Sequence, residues 1–207
     1  MAPSTFKAAL QAGIDAVDRA GHCGLIILGE LGIGNTTAAA AVAASLIQAP
    51  AETMVGRGTG VDDDGLLRKQ RVVERALLAC TATDGASVIG QIGGREIAAM
   101  YGALGRAIEK RIPVLIDGFV VGSAALALAH DYPKARESMI WAHQSAEQGH
   151  QHLLDHLGVR GILDFGMRLG EASGALTAFP LLEAACALHN GMATFADAQV
   201  PDRDDGL

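Results

Sequence analysis

One stretch constrains this chain more than any other: Gly29-Glu30-Leu31-Gly32-Ile33-Gly34-Asn35-Thr36-Thr37, placed between the apolar run Leu25–Leu28 and the alanine-rich segment Ala38–Ile47. The order reads strand, glycine loop, helix, which is the layout of a phosphate site. Its spacing from Gly29 to Thr36 matches the P-loop pattern G-x-x-x-x-G-K-[ST], except that Asn35 stands at the lysine position. Backbone N–H groups at such a helix start hold an anion through hydrogen bonds and the helix dipole. A triphosphate wants the missing lysine, however, and Glu30 puts a carboxylate inside the loop that repels polyphosphate. The stretch suits a less charged ligand, or chemistry beside a phosphate.

With 207 residues, the chain is long enough for one substantial α/β domain around a buried core. Half of the residues are hydrophobic, but Gly, Pro or charge breaks every apolar run before it reaches membrane-spanning length. The first residues lack the basic start and apolar core of a signal peptide, so a soluble cytoplasmic protein without membrane association is expected. A formal net charge of −7 and an aromatic content of 4% leave neither an electrostatic footprint nor a stacking platform for nucleic acid. Cys23, Cys80 and Cys186 are far apart and form no CxxC, so buried thiols in a reducing compartment are expected.

Along the chain, Phe6, Ala9, Leu10, Ile14 and Val17 mark an amphipathic helix over residues 5–20, expected to pack beside the first strand and to end at Gly21. After the central loop and its helix, Val55–Gly65 is irregular and glycine-rich, the pattern of backbone held close to a ligand or another segment. Asp62–Asp64 reads as a helix start, since carboxylates cap free N–H groups; a divalent-metal role lacks partner ligands at a helpful spacing. The helix that follows, residues 66–78, offers Leu67, Val72, Val73, Leu77 and Leu78 to the core, with Arg68, Lys69, Arg71, Glu74 and Arg75 mostly on a solvated face.

Helices are expected over 84–92 and 95–110, then a buried parallel strand at 113–116. Asp117 is either a ligand-facing residue at that strand's C-terminal end or a cap for the helix of residues 119–129. A third strand fits 138–142, a helix fits 147–157, and an apolar stretch, 162–169, runs into Gly170-Glu171-Ala172-Ser173-Gly174. A long apolar helix over 175–189 repeats the opening pattern of apolar run, small-residue loop with a glutamate, and helix. Residues 1–195 read as one α/β domain and residues 196–207 as a polar tail.

Two local matches are poor evidence. His152-Leu153-Leu154-Asp155-His156 has Asp where an inverted zinc-protease motif has Glu, and it lacks a third ligand. Asp164-Phe165-Gly166 has no kinase motif around it, and no G-x-S-x-G elbow supports Ser145 or Ser173 as a nucleophile. Glu30 and Glu171 remain. Carboxylates at the top of a parallel sheet serve as general bases when shielded from water, and ordinary loop or capping glutamates present the same pattern.

GELGIGNTTAAAAV, GRGTGVDDDGLLRKQRVVERAL, GGREIAAM, RIPVLIDGFV, HQSAEQGHQHLL and MRLGEASGAL, in that order, resemble the nicotinate-nucleotide:dimethylbenzimidazole phosphoribosyltransferase family of cobalamin biosynthesis, from about Phe6 to about Ala196. The resemblance implies a Rossmann-like, open and mostly parallel α/β sheet flanked by helices, with an incomplete small helical subdomain. It further implies a homodimer, no required metal or other cofactor, and a reaction. In that reaction nicotinate mononucleotide and 5,6-dimethylbenzimidazole give α-ribazole 5′-phosphate and nicotinate.

Carried over motif by motif, Glu171 in LGEASG resembles the family's general base and Glu30 its second active-site glutamate. Gly32, Gly58, Lys69 and Ser145 match positions that hold the mononucleotide, and Leu31 and Leu169 match the lining of the apolar base pocket. Ala172 departs from the pattern, standing where the family usually has a second glycine. The resemblance also starts where the family's C-terminal catalytic portion starts, so a segment contributing to the acceptor-base pocket is not among these residues. That leaves a non-catalytic nucleotide-binding remnant as the alternative, and Asn35 disfavours a P-loop NTPase.

Overall fold

In a computed structural model, residues 1–58 and 60–199 are described. The short apolar runs form three parallel strands, β1 (Ile26–Leu28), β2 (Val114–Ile116) and β3 (Met139–Trp141), in the order β1-β2-β3. The register pairs Ile27 with Leu115 and Leu115 with Ile140, and β2 is buried along its whole length. Runs without alternation suit strands covered on both faces.

Nine α-helices flank this sheet among the described residues: α1 (Pro3–Ala20), α2 (Asn35–Ile47), α3 (Ala51–Met54), α4 (Asp63–Ala79), α5 (Gly85–Ile92), α6 (Arg95–Glu109), α7 (Phe119–Asp131), α8 (Gln148–Leu157) and α9 (Ser173–Gly191). Helices α2 and α7 pack on each other at the centre, and every α7 residue from Phe119 to Ala129 is buried. Their alanine- and valine-rich composition, apolar all round, is what an enclosed helix requires. No described helix is long and apolar enough to cross a membrane.

The α/β class and the parallel sheet agree with expectation, whereas several local readings change. Helix α1 packs along α6 rather than beside β1, backbone on backbone where Gly13 meets Ala99 and Gly102 meets Leu10. On α4, Val73 is buried, but Leu67, Val72 and Leu78 are exposed, the last at 88%. Its buried stripe instead runs through Gly65 and Val73, and the Asp62 carboxylate caps its start by accepting from Gly65 N at 2.7 Å. Of the thiols, Cys23 and Cys80 are half-buried against the core, whereas Cys186 is exposed on α9. That helix is apolar, yet Leu181, Leu188, Met192 and Phe195 on and beyond its second half are all at least half exposed. The stretch 162–169 forms no regular strand, although it hydrogen-bonds through its backbone to residues 141–146 and makes an isolated parallel bridge of Leu163 with His143. Thr59 and, within the expected polar tail, residues 200–207 lie outside the described residues.

The C-terminal ends of the three strands lead into Gly29–Gly34, Asp117 and His143–Glu147, where parallel sheets carry their ligands.

Candidate active site

The chain leaves β1 at Leu28 and enters α2 at Asn35, so Glu30 sits in a loop closed at both ends by regular structure. Asn35, the residue at the lysine position of the P-loop pattern, donates from Nδ2 to Glu30 Oε2. The loop's missing cation is thus a carboxylate clamp. Burial raises the Glu30 pKa above the ordinary carboxylate value, the Asn35 hydrogen bond opposes this, and the charges of Glu96, Asp117 and Glu171 add to the rise.

The second glutamate arrives from the loop before α9. Glu171 N donates to the carbonyl of Glu30 at 3.1 Å, so the two glutamate loops are stitched together through their backbones. Gly170, Glu171 and Ala172 all have left-handed backbone, at φ 80°, 58° and 61°. For the two non-glycines this conformation costs on the order of 1 kcal/mol each. Asp117, only 1% exposed, explains how the loop is held. The helix it would have capped locally, α7, has Gly118 as its N-cap with no side-chain bond. Its Oδ1 instead accepts from Ala175 N at 2.9 Å, capping the first turn of α9. Ala172, at the N-cap of α9, has no side-chain oxygen to do this.

On the opposite wall, α4 supplies Lys69, whose Nζ donates to Gly56 O at 2.7 Å and to Thr36 Oγ1 at 3.1 Å. Half-burial lowers its pKa, and the nearby Glu147 charge counters that effect. Thr36 is the hydroxyl residue of the P-loop pattern, so a lysine from another helix reaches the loop that lacks its own.

The third wall follows β3. His143 is buried with Nε2 3.6 Å from Asp117 Oδ1, beyond hydrogen-bond reach, and its Nδ1 has no partner among the described residues. A Cβ on Gly174 would overlap the His143 ring, so only glycine lets α9 begin here. His150, fully buried, accepts at Nδ1 from Ser145 N at 2.8 Å, which leaves the hydrogen on Nε2. Burial, and then the His143 charge, push its pKa down to about 3, so the imidazole is neutral. Ser145 in turn accepts at Oγ from Glu147 N at 3.3 Å, fixing the turn into α8.

Glu30, Gly32, Gly58, Ser145 and Leu169 line one cavity, and Lys69 reaches it through Thr36, which lines it too. Glu171 is exposed next to Gly170, another lining residue. Leu31 lies instead over an adjoining depression of about 340 Å³ shared with Gly32, Asn35 and Glu96, its side chain almost wholly exposed. Of the expected site residues, five thus line this cavity, Lys69 reaches it, and Glu171 and Leu31 adjoin it. The sequence reading missed His143, Glu147 and Arg168 as cavity residues. The first was detectable, because it follows an apolar strand just as Asp117 does. His152 and His156 are on the exposed face of α8.

A family model described as phosphoribosyltransferase matches residues 1–200. The nicotinate-nucleotide–dimethylbenzimidazole phosphoribosyltransferase of Bradyrhizobium sp. (strain ORS 278) is 48% identical over 99% of this chain and 60% of its own length. That of Pseudomonas aeruginosa PAO1 is 49% identical over 94% and 57%. The crystal structure of CobT from Thermus thermophilus superposes with a TM-score of 0.92 at 42% identity, covering 97% of this chain and 61% of that one. The chain thus spans about 60% of the length of the relatives it matches.

Proposed function

The chain belongs to the nicotinate-nucleotide:dimethylbenzimidazole phosphoribosyltransferase family, and we propose that it transfers the phosphoribosyl group of nicotinate mononucleotide to 5,6-dimethylbenzimidazole. The products are α-ribazole 5′-phosphate and nicotinate, in the assembly of the lower ligand of cobalamin. The observation that carries this reading is the joining of the two glutamate loops, Glu171 N to Glu30 O, opposite a lysine seated on the P-loop-like turn.

In this reading one benzimidazole nitrogen attacks ribose C1′ while the bond from C1′ to the nicotinate nitrogen breaks and its electron pair leaves with nicotinate. Attack opposite the leaving group inverts C1′ and gives the α-linkage. Glu171 takes the proton from the other benzimidazole nitrogen. Glu30, half-buried and clamped by Asn35, stabilises the positive charge that develops at C1′. Lys69, Gly58 and Ser145 hold the mononucleotide, with Lys69 on its phosphate, and Gly32 lets that ligand lie against the loop. Leu31 and Leu169, both largely exposed, form the apolar surface on which the flat acceptor base lies. Positioning two rings and one phosphate in this way supplies much of the rate enhancement such a transfer needs.

The reading also makes the protein a homodimer, with the exposed apolar second half of α9 as the face a second copy covers. The test is to incubate the purified chain with nicotinate mononucleotide and dimethylbenzimidazole and to follow α-ribazole 5′-phosphate. Its formation supports the reading. Mononucleotide binding by a folded sample without product assigns the chain a binding role only.

A further inference from the structure

Glu147 is the one acidic side chain of the cavity that the proposed chemistry leaves unused. It occupies the N-cap position of α8, yet its carboxylate makes no capping bond. The residue is 6% exposed and lines the cavity, and Oε2 is buried with no hydrogen-bond partner among the described residues. Lysine is close enough to be felt, since the Glu147 charge acts on Lys69, but the two form no ion pair among the described residues.

A single residue separates them. The Gly56 carbonyl accepts from Lys69 Nζ, while the absent side chain of Gly56 leaves the space into which Glu147 Oε2 fits, because a Cβ there would overlap that oxygen. A carboxylate taken out of water without a donor is costly, and native structures satisfy such groups with protein, solvent or ligand. An ionised carboxylate only accepts hydrogen bonds, so its partner must bring donors. A phosphate brings none at neutral pH and is repelled. Neighbouring hydroxyls bring two, at a spacing that matches the two carboxylate oxygens. A ribose 5-phosphate carries both kinds of group, an anion at one end and a vicinal diol on the ring.

We infer that Glu147 binds the 2′,3′-diol of the ribose while Lys69, across Gly56, takes the phosphate. This makes Glu147 the residue that selects ribonucleotide over deoxyribonucleotide donors. The inference rests on the mononucleotide reading of the site and adds a specificity to it.

Calorimetric titration with nicotinate mononucleotide and with its 2′-deoxy and 3′-deoxy counterparts tests it. The unsubstituted chain is expected to bind at least one deoxy ligand about tenfold or more weakly than the ribose ligand, the loss that accompanies a hydrogen bond to a charged group. Glu147→Gln should bind the ribose ligand about tenfold more weakly while binding that deoxy ligand within about twofold of the unsubstituted chain. Equal binding of ribose and both deoxy ligands by the unsubstituted chain overturns the inference and leaves the mononucleotide reading standing. So does a Glu147→Gln loss that is the same for all three ligands. Failure of the folded chain to bind any of them overturns the mononucleotide reading and the inference together. The ribose-against-deoxy comparison needs no substituted protein, so a poorly folding variant does not remove the test.

Discussion

Removing the Asp117 carboxylate is expected to loosen the active-site loop from a distance. Asp117 Oδ1 accepts from Ala175 N at 2.9 Å in a fully buried setting, and the N-cap residue, Ala172, has no side-chain oxygen to replace it. In Asp117→Ala the α9 helix loses its cap, worth about 1 kcal/mol, and a buried N–H loses its acceptor, worth roughly 1–3 kcal/mol. Both figures describe the same hydrogen bond and are not summed, so a net destabilisation of about 1–3 kcal/mol is expected. Asp117→Asn keeps an acceptor oxygen at the same place and should cost about 1 kcal/mol or less.

Urea denaturation of the three proteins measures this, with a lower midpoint and an unchanged slope as the signature. Hydrogen exchange adds a local readout: the Ala175 amide should lose protection in the alanine variant and keep most of it in the asparagine variant. A loss below about 0.5 kcal/mol for Asp117→Ala, or equal damage from both substitutions, would refute the capping argument.

Ala172→Gly should raise stability by about 0.5–1 kcal/mol, seen as a higher melting temperature, since φ of 61° penalises alanine and not glycine; a lower melting temperature contradicts this. His150 has its folded pKa depressed from 6.5 to about 3. As pH falls below 6.5 the unfolded chain gains a proton that the folded chain refuses, so stability is lost progressively down to about pH 3, by up to about 1.4 kcal/mol per pH unit. His150→Gln should flatten that dependence in denaturation curves taken between those limits, and an unaltered slope would exclude His150 as its source. Glu171→Gln is expected to lower turnover about 100-fold or more while changing mononucleotide affinity less than about twofold. Unchanged turnover removes Glu171 as the base.

The elements were largely legible because short apolar runs with clear boundaries, and long alanine-rich segments without Gly or Pro, admit few alternatives. Partners were less legible. Periodicity along residues 5–20 says that a face is buried, not that it is buried on α6 instead of β1. On α4 the apolar residues Leu67 and Leu78 suggest the wrong stripe, because the helix is fixed by its start at Asp62 and by Lys69 reaching inward. The two glutamates could be found from pattern, each following an apolar run. The residues that hold them could not: Asn35 reads as a defect in a motif, and Asp117 serves a helix 58 positions further along. Nothing in local sequence marks Glu147 as buried either, since a charged residue before a helix ordinarily faces water.

Lys69 carries one consequence beyond its place in the wall. An ammonium group is a tripod with three hydrogens, and two of them already point at Gly56 O and Thr36 Oγ1. The four-carbon stem is therefore immobilised before any anion arrives, and roughly 2 kcal/mol of rotamer freedom has already been surrendered in folding. On the proposed reading, an incoming phosphate meets a single aimed donor and incurs little ordering cost of its own. Arginine cannot inherit this role, because a flat guanidinium cannot direct three hydrogens along the legs of a tetrahedron.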